Sequence, residues 1–382
     1  MGSRGDIMLQ NKMNALKVAA LWVALFSFHF LVSQQQPKSI QLEGQDGPYL
    51  INDTLYEVSR ENKLVKTIQY DLDSIGVSVA NQSVDEFFVS IRPKYAIPKS
   101  NYEFPEKLIA ISDIEGKFDA FAGFLQCNQI IDENFNWIFD KGHLVLVGDF
   151  VDRGKNVTQV LWLIYKLEQQ AELKGGKVHF VLGNHEVMNF HGDHRYNQGK
   201  YLKVAQEISG KQNNTEALKY LYSEKSEIAK WLATKNVIEK IGDYLFVHGG
   251  LSSEILNYQL NLKEINHQVR STHHREDYEK DSVTQFLYSS KGPFWYRGLI
   301  GQKPEATAKV QSEIDQVLLY YKAEKMVLGH TVVDSVSKGY KGKIIRIDVS
   351  HGYQKFSGET KGLLIEKGIE YIVDDLGNKT RL

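Results

Sequence analysis

Asp113, Glu115, Asp149, Asn184, His248 and His330 supply three carboxylates, one amide oxygen and two imidazoles. Such a mixed donor set suits divalent first-row ions such as Mn, Fe or Zn better than soft copper or an all-oxygen calcium cage. Six ligands are too many for one catalytic ion that keeps open positions. They fit two divalent metal ions about 3.5–4 Å apart, bridged by one carboxylate, an arrangement suited to phosphate-ester hydrolysis. Asp149 is the expected bridge, because it lies centrally in the series. His185 directly follows Asn184. Protonated, it can donate to a leaving-group oxygen, and Asp152 can orient its ring. Arg153 offers a planar fork that grips phosphate oxygens as lysine cannot. Arg297, in the glycine-bounded segment GPFWYRG (292–298), is a second candidate for that contact.

These residues sit at comparable places along the chain. Five apolar runs end abruptly in polar residues: LIAISDIEG (108–116), LVLVGDFVDRG (144–154), VHFVLGNHE (178–186), YLFVHGG (244–250) and MVLGHT (326–331). A helical pattern, Gln159 to Leu173, lies between two of them. Short buried strands alternating with helices imply α/β layers, and ligands in such folds bind beyond the carboxyl ends of the strands. One apolar run ending in Asp means nothing; five delivering Asp, Glu, Asn and His describe a site. Residues 34–105 read differently. Tyr49–Ile51, Leu55–Val58, Val65–Tyr70, Ile75–Val79 and Phe87–Ile91 are strand-like, and Pro93, Pro98 and Pro105 follow them as a linker. The expected division is a signal peptide at 1–33, a β-rich extension at 34–105 and a catalytic domain at 106–382.

Composition narrows the function classes. The 382 residues allow about two domains, and 42% hydrophobic with 24% charged residues is globular. Forty-six basic against 47 acidic residues give a net charge of −1, which argues against broad nucleic-acid binding. The single cysteine, Cys127, excludes an intrachain disulfide framework and a cysteine-rich zinc site. FLQCNQI offers no glycine or arginine to cradle phosphate around a cysteine nucleophile. Arg4, Lys12 and Lys17 precede the apolar run Val18–Val32, which is too short to span a membrane and reads as a signal peptide cleaved after Ser33. The protein is thus expected to be exported, periplasmic or secreted, touching membrane only if that segment is retained.

GDFVDRG, GNHE, HGG and GHT resemble the signature set of calcineurin-like metallophosphoesterases, in the phosphoprotein phosphatase branch. GNHEVMNFHGDHRY (183–196) together with GPFWYRG resembles the Shewanella-like protein phosphatases, and the likeness spans roughly 108–352. The resemblance implies a two-sheet β-sandwich flanked by helices with a dinuclear site at one sheet edge. It implies metal ligation by Asp113, Asp149, Asn184, His248 and His330, acid catalysis by His185 supported by Asp152, phosphate contacts by Arg153 and Arg297, and a phosphorylated protein or peptide as substrate. One position departs from the pattern: Asp-x-His-Gly is here Asp113-Ile114-Glu115-Gly116. Glutamate still ligates, and shifts the first metal site toward Mn or Mg or weakens it.

Other residues read more plainly. His191 and His194 are expected to be satisfied loop histidines, His273 and His274 to lie on a solvated face, and Cys127 to be a small buried helix residue. His351 follows another apolar run, Ile344–Val349, and is read as structural. The alternatives to a protein phosphatase are hydrolysis of dinucleotide polyphosphates and a catalytically silent phosphate-binding module. Glu115 is the only sequence feature that favours the silent module.

Overall fold

A computed structural model describes residues 42, 44–68, 73–275, 280–299 and 308–382. The expected signal peptide lies outside the described residues. Strands run in chain order as β1 (Asp46–Ile51), β2 (Thr54–Val58), β3 (Leu64–Ile68), β4 (Ser74–Ser78), β5 (Glu86–Ser90), β6 (Asn101–Tyr102), β7 (Lys107–Ile111), β8 (His143–Val147), β9 (Lys177–Val181), β10 (Ile238–Ile241), β11 (Tyr244–Val247), β12 (Lys325–Leu328), β13 (Ser337–Gly339), β14 (Ile344–Arg346), β15 (Lys361–Glu366), β16 (Ile369–Asp374) and β17 (Lys379–Arg381). The helices are α1 (Phe118–Cys127), α2 (Val157–Leu173), α3 (Asn184–Phe190), α4 (Gly199–Ser209), α5 (Asn214–Leu221), α6 (Glu227–Leu232), α7 (Leu262–Arg270), α8 (Ser282–Leu287) and α9 (Ala308–Tyr320).

Two six-stranded sheets dominate, ordered β17-β16-β15-β7-β8-β9 and β13-β14-β12-β11-β10-β6. β7, β8 and β9 are mutually parallel, as are β11, β12 and β14. Alternate residues of both sheets meet in a shared core that includes Ala110, Val145, Phe246, Val327, Ile345 and Leu363, all fully buried. Each large side chain taken from water there contributes about 1.5–3 kcal/mol. The opposite faces of these strands join a second core with the helices, where Ile109, Leu144, Phe121 and Leu163 meet. Strands covered on both faces read as continuous apolar runs, which is why they were visible in the sequence.

The extension covers α2. Trp162 Nε1 donates to the Pro48 carbonyl at 2.8 Å and Gln159 Nε2 to the Gly47 carbonyl at 2.9 Å. Leu50, Leu55, Val77 and Phe87 belong to the same core as α1 and α2. β6 pairs with β10 at the edge of the second sheet. Cys127, expected to be buried, is half-buried at the last position of α1, because that helix end lies near the surface turn at Asp374–Asp375; burial and those two acids push its thiol up.

Candidate metal and phosphate site

Loops leaving β7, β8, β9, β11 and β12 carry Asp113, Asp149, Asn184, His248 and His330. They are tied to one another through the backbone. Asp113 N donates to Gly148 O, and Glu115 N to Asp149 O, both at 2.9 Å. Glu186, buried in α3, accepts from Asp149 N at 3.0 Å, Phe150 N at 2.8 Å and Gly183 N at 2.7 Å. One carboxylate thereby welds the β8 loop to the start of α3. Positive φ angles gather at this edge in residues that resist them: Asp113 (54°), Asp149 (60°), Asp152 (69°), Arg153 (52°) and His330 (70°). Each costs on the order of 1–3 kcal/mol and persists only where the surroundings enforce it. Gly183 is required for a different reason. A Cβ there would lie 2.2 Å from Asp149 Oδ1.

Asp149, His248 and His330 each present one donor atom, all within 4.8 Å of one another. His248 Nδ1 donates to the Val147 carbonyl at 2.8 Å, which turns Nε2 toward Asp149 Oδ2 at 3.0 Å and Asn184 Oδ1 at 3.1 Å. Asp113 Oδ2 accepts from His330 N at 3.0 Å. His330 Nε2 is buried with no hydrogen-bond partner, an orphan that a metal ligand would be before its ion binds. Burial, then the neighbouring His248, hold its imidazole near pKa 3, neutral and with its lone pair free. Asp113 is pushed well up by burial and by Asp348. Burial works against a charged His248, but Asp149 and Asp113 prevail and raise it to about 9. Burial would likewise raise Asp149; the His248 and His185 imidazoliums outweigh it and hold the carboxyl well below its usual range. Crowded buried carboxylates that borrow protons or imidazoliums for compensation fit a divalent cation.

His185 stands beside this cluster. Its backbone N donates to Asp149 Oδ1 at 2.9 Å, and its Nδ1 donates to Asp152 Oδ2 at 2.7 Å. Asp152 is fixed in turn by Asn189 Nδ2 at 2.9 Å and by Asn197. Burial lowers the His185 pKa, Asp149 and Asp152 overcome it, and the ring is held near 9, protonated at neutral pH. Its Nε2 lies 3.7 Å from Asp149 Oδ2, facing the cluster. Arg153, half exposed, reaches Glu115 and stacks over the Tyr196 ring at 5.1 Å. Arg297 is exposed, and its Nε donates to Thr331 Oγ1 at 3.2 Å, next to His330. Glu115 is turned toward Arg153, with Lys117 at 3.9 Å. Burial raises its carboxyl; Arg153 and Lys117 act against that.

Asp348 is a residue at the site that the sequence reading does not name, whereas His351 is named there and read as structural. Asp348 follows β14 and is buried; burial, Glu115 and Asp149 lift its carboxyl to about 8. His351 is buried and donates from Nε2 to the Ser112 carbonyl at 2.8 Å, behind the Asp113 loop. The signal was there, since β14 runs parallel to β12 and its carboxyl end reaches the same edge. His273 is not on a solvated face. It is buried and stacked on Phe190 with ring centroids 4.4 Å apart, because α3 ends against that loop.

Residues 106–334 match the family model of the calcineurin-like phosphoesterases. Shewanella-like protein phosphatase 2 of Arabidopsis thaliana is 28% identical over 342 residues, covering 76% of this chain and 84% of that protein. Shewanella-like protein phosphatase 1 of Plasmodium berghei is 29% identical over 233 residues, covering 60% of this chain and 62% of that one. The crystal structure of a cold-active protein-tyrosine phosphatase from a psychrophilic Shewanella species superposes with a TM-score of 0.78 at 32% identity, covering 89% of this chain and all of that one. Motif order, sandwich and clustered donors agree with these matches, and the chain belongs to the calcineurin-like phosphoesterase family, as a hydrolase of phosphoric monoesters.

Proposed function

We propose that the protein is an exported, two-metal phosphatase that acts on phosphorylated protein or peptide, at tyrosine, serine or threonine. The observation that carries the reading is the convergence of Asp149, His248 and His330 within 4.8 Å beside the His185–Asp152 pair. Asp113, Glu115, Asp149, Asn184, His248 and His330 would hold the ions. Two divalent metals supply a nucleophile at neutral pH and charge neutralisation on the phosphoryl oxygens. The chain's own groups do the rest. Arg153 and Arg297 grip equatorial oxygens, and protonated His185 delivers its Nε2 proton to the departing alkoxide or phenoxide. Asp152 keeps that ring aligned. The tyrosine specificity named for the Shewanella structure supports competence toward phosphotyrosine.

The test is phosphate release by metal-stripped protein after addition of Mn, Zn or Fe, with phosphotyrosyl and phosphoseryl peptides side by side. Metal-dependent release is expected; its absence with every ion would leave hydrolysis of dinucleotide polyphosphates or a silent phosphate-binding module. Glu115→Gln is expected to lower metal affinity, and unchanged stoichiometry and affinity would remove Glu115 from the ligand set. Export is checked by the intact mass of protein recovered from cells, expected to begin at residue 34.

A further inference from the structure

A groove of about 700 Å³ opens beside the phosphate-gripping edge. Its size is within the range of clefts that bury a ligand, about 300–1,000 Å³. Arg153, Lys117, Lys155, Lys355, Tyr353 and Gln82 are among the residues that line it. Gln82 belongs to the turn between β4 and β5, so the amino-terminal extension builds one side. Tyr353 leaves 77% of its surface exposed, a large apolar ring kept at the wall of a polar cleft. Among the described residues that line the groove, Asp119 is the only carboxylate, and it accepts a hydrogen bond from Asn81.

The cations are not equally committed. Arg153 is paired with Glu115, and Lys117 lies 3.9 Å from the same carboxylate while its Nζ sits 5.2 Å from the Tyr353 ring centre. Lys355 is held by Asp85 at 2.6 Å. Lys155 is exposed and has no ion pair among the described residues. Arg153 and Lys117 thus share one carboxylate and Lys155 has none among the described residues, so the groove carries an excess of positive charge to which Lys155 contributes an exposed, unpaired part. The chain as a whole is near neutral, so this local excess does not follow from composition.

We propose that this groove seats the polypeptide flanking the phosphorylated residue, and that Lys155 makes it favour acidic flanks. The inference rests on the protein-phosphatase reading. A phosphorylated side chain gripped by Arg153 has its main chain at the mouth of the site, and the groove is continuous with that mouth through Arg153 itself. Glutamate or aspartate on the flanks would meet Lys155, Lys117 and Lys355, and a basic flank would be repelled. Charge complementarity of this kind sets selectivity and encounter rate more than raw affinity.

The experiment compares kcat/KM of the full-length, metal-loaded protein on three phosphopeptides of equal length, with glutamate, alanine or lysine flanks, and on p-nitrophenyl phosphate. Wild type is expected to prefer the acidic over the basic peptide by about fivefold, the size that one or two exposed charge pairs supply. Lys155→Glu should bring that ratio to one or invert it. Because the ratio is read on a single enzyme preparation, a loss of folded protein does not mimic the effect. Raising salt toward 1 M, where the screening length is about 3 Å, should erase the wild-type preference as well. Peptides hydrolysed at rates indifferent to flank charge, or a ratio untouched by Lys155→Glu, would overturn the groove assignment and leave the phosphatase reading standing. Turnover of p-nitrophenyl phosphate with no turnover of any peptide would overturn both.

Discussion

Two buried polar clusters lie in this sandwich, and they are built on opposite plans. One links the sheets through His143, His179, Glu239, Asn236 and Arg270. His143 Nδ1 donates to His179 Nε2 at 2.9 Å, His179 Nδ1 donates to Glu239 Oε2 at 2.6 Å, and Asn236 Nδ2 donates to Glu239 Oε1 at 2.7 Å. Arg270 completes the chain by donating to Asn236 Oδ1 at 2.5 Å. Every nitrogen and oxygen of the His179, Glu239 and Asn236 side chains has a partner. The other cluster gathers Asp113, Asp149 and Asp348 with His248 and His330, and leaves His330 Nε2 unpartnered. Burial without partners costs free energy, and strained backbone adds to it. The closed cluster stabilises the fold. The open one is tolerated because something else completes it, and that contrast, more than the residue types, separates a site from a structural network.

The contrast predicts effects of different kind and size. Asp149→Asn removes the carboxylate that clusters with the His248 and His330 imidazoles. A loss of several kcal/mol of charge stabilisation corresponds to about a thousandfold or more in rate, with metal content falling in parallel. A variant that keeps its metal and works within tenfold of wild type would mean the cluster is not organised on Asp149. His185→Asn should cost roughly 10²–10⁴ on phosphoseryl substrates. The cost should shrink on p-nitrophenyl phosphate, whose leaving group needs little help from an acid. Equal losses on both substrates would make His185 a positioning residue instead. Glu239→Ala, in the closed cluster, should reverse the pattern. Stability falls by about 3 kcal/mol as His179 and Asn236 lose their partner, while kcat/KM of the folded protein stays close to wild type. An activity loss without a drop in thermal midpoint would erase the distinction between the clusters.

Much of the open cluster was legible because its residues follow strands buried on both faces, whose apolar runs announce themselves. Asp348 was not, since it falls inside the run Ile344–Val349 rather than at its end, and β14 itself spans only Ile344–Arg346. Asn189 and Asn197, which fix Asp152, lie 37 and 45 residues from it along the chain, and no local pattern reports such a pairing. Gln159 and Glu168 lie in the helical pattern Gln159–Leu173, which does not report their burial. They are buried because the extension and α6 close over α2, with Asp46 lying 113 residues from Gln159. The closed cluster left no trace in the sequence. His143, His179 and Glu239 lie on strands that look ordinary; pairing of β8 with β9 sets His143 beside His179, and the second sheet brings Glu239 to them.

The smallest predicted effect concerns the rim of that closed cluster. Burial first, then His179 and Lys177, hold the His143 imidazole near pKa 3, against about 6.5 in an unfolded chain. The folded state therefore favours the neutral ring, and the unfolded state takes up the proton first as pH falls. The stability tied to this group is complete above about pH 6.5 and is lost progressively between there and pH 3. Other buried histidines, His330 and His351, are depressed in the same direction, so the thermal midpoint of wild type alone does not isolate it. His143→Gln keeps an N–H to offer His179 and removes the titration. The difference in midpoint between the two proteins should be flat above pH 6.5 and narrow as acid is added, because only wild type pays for keeping this ring neutral. His143 is partly exposed, so solvent screens the effect and it is expected to be modest. Midpoints that stay parallel throughout that window would show that the ring titrates alike in the folded and unfolded chain, and the closed cluster would then end at His179.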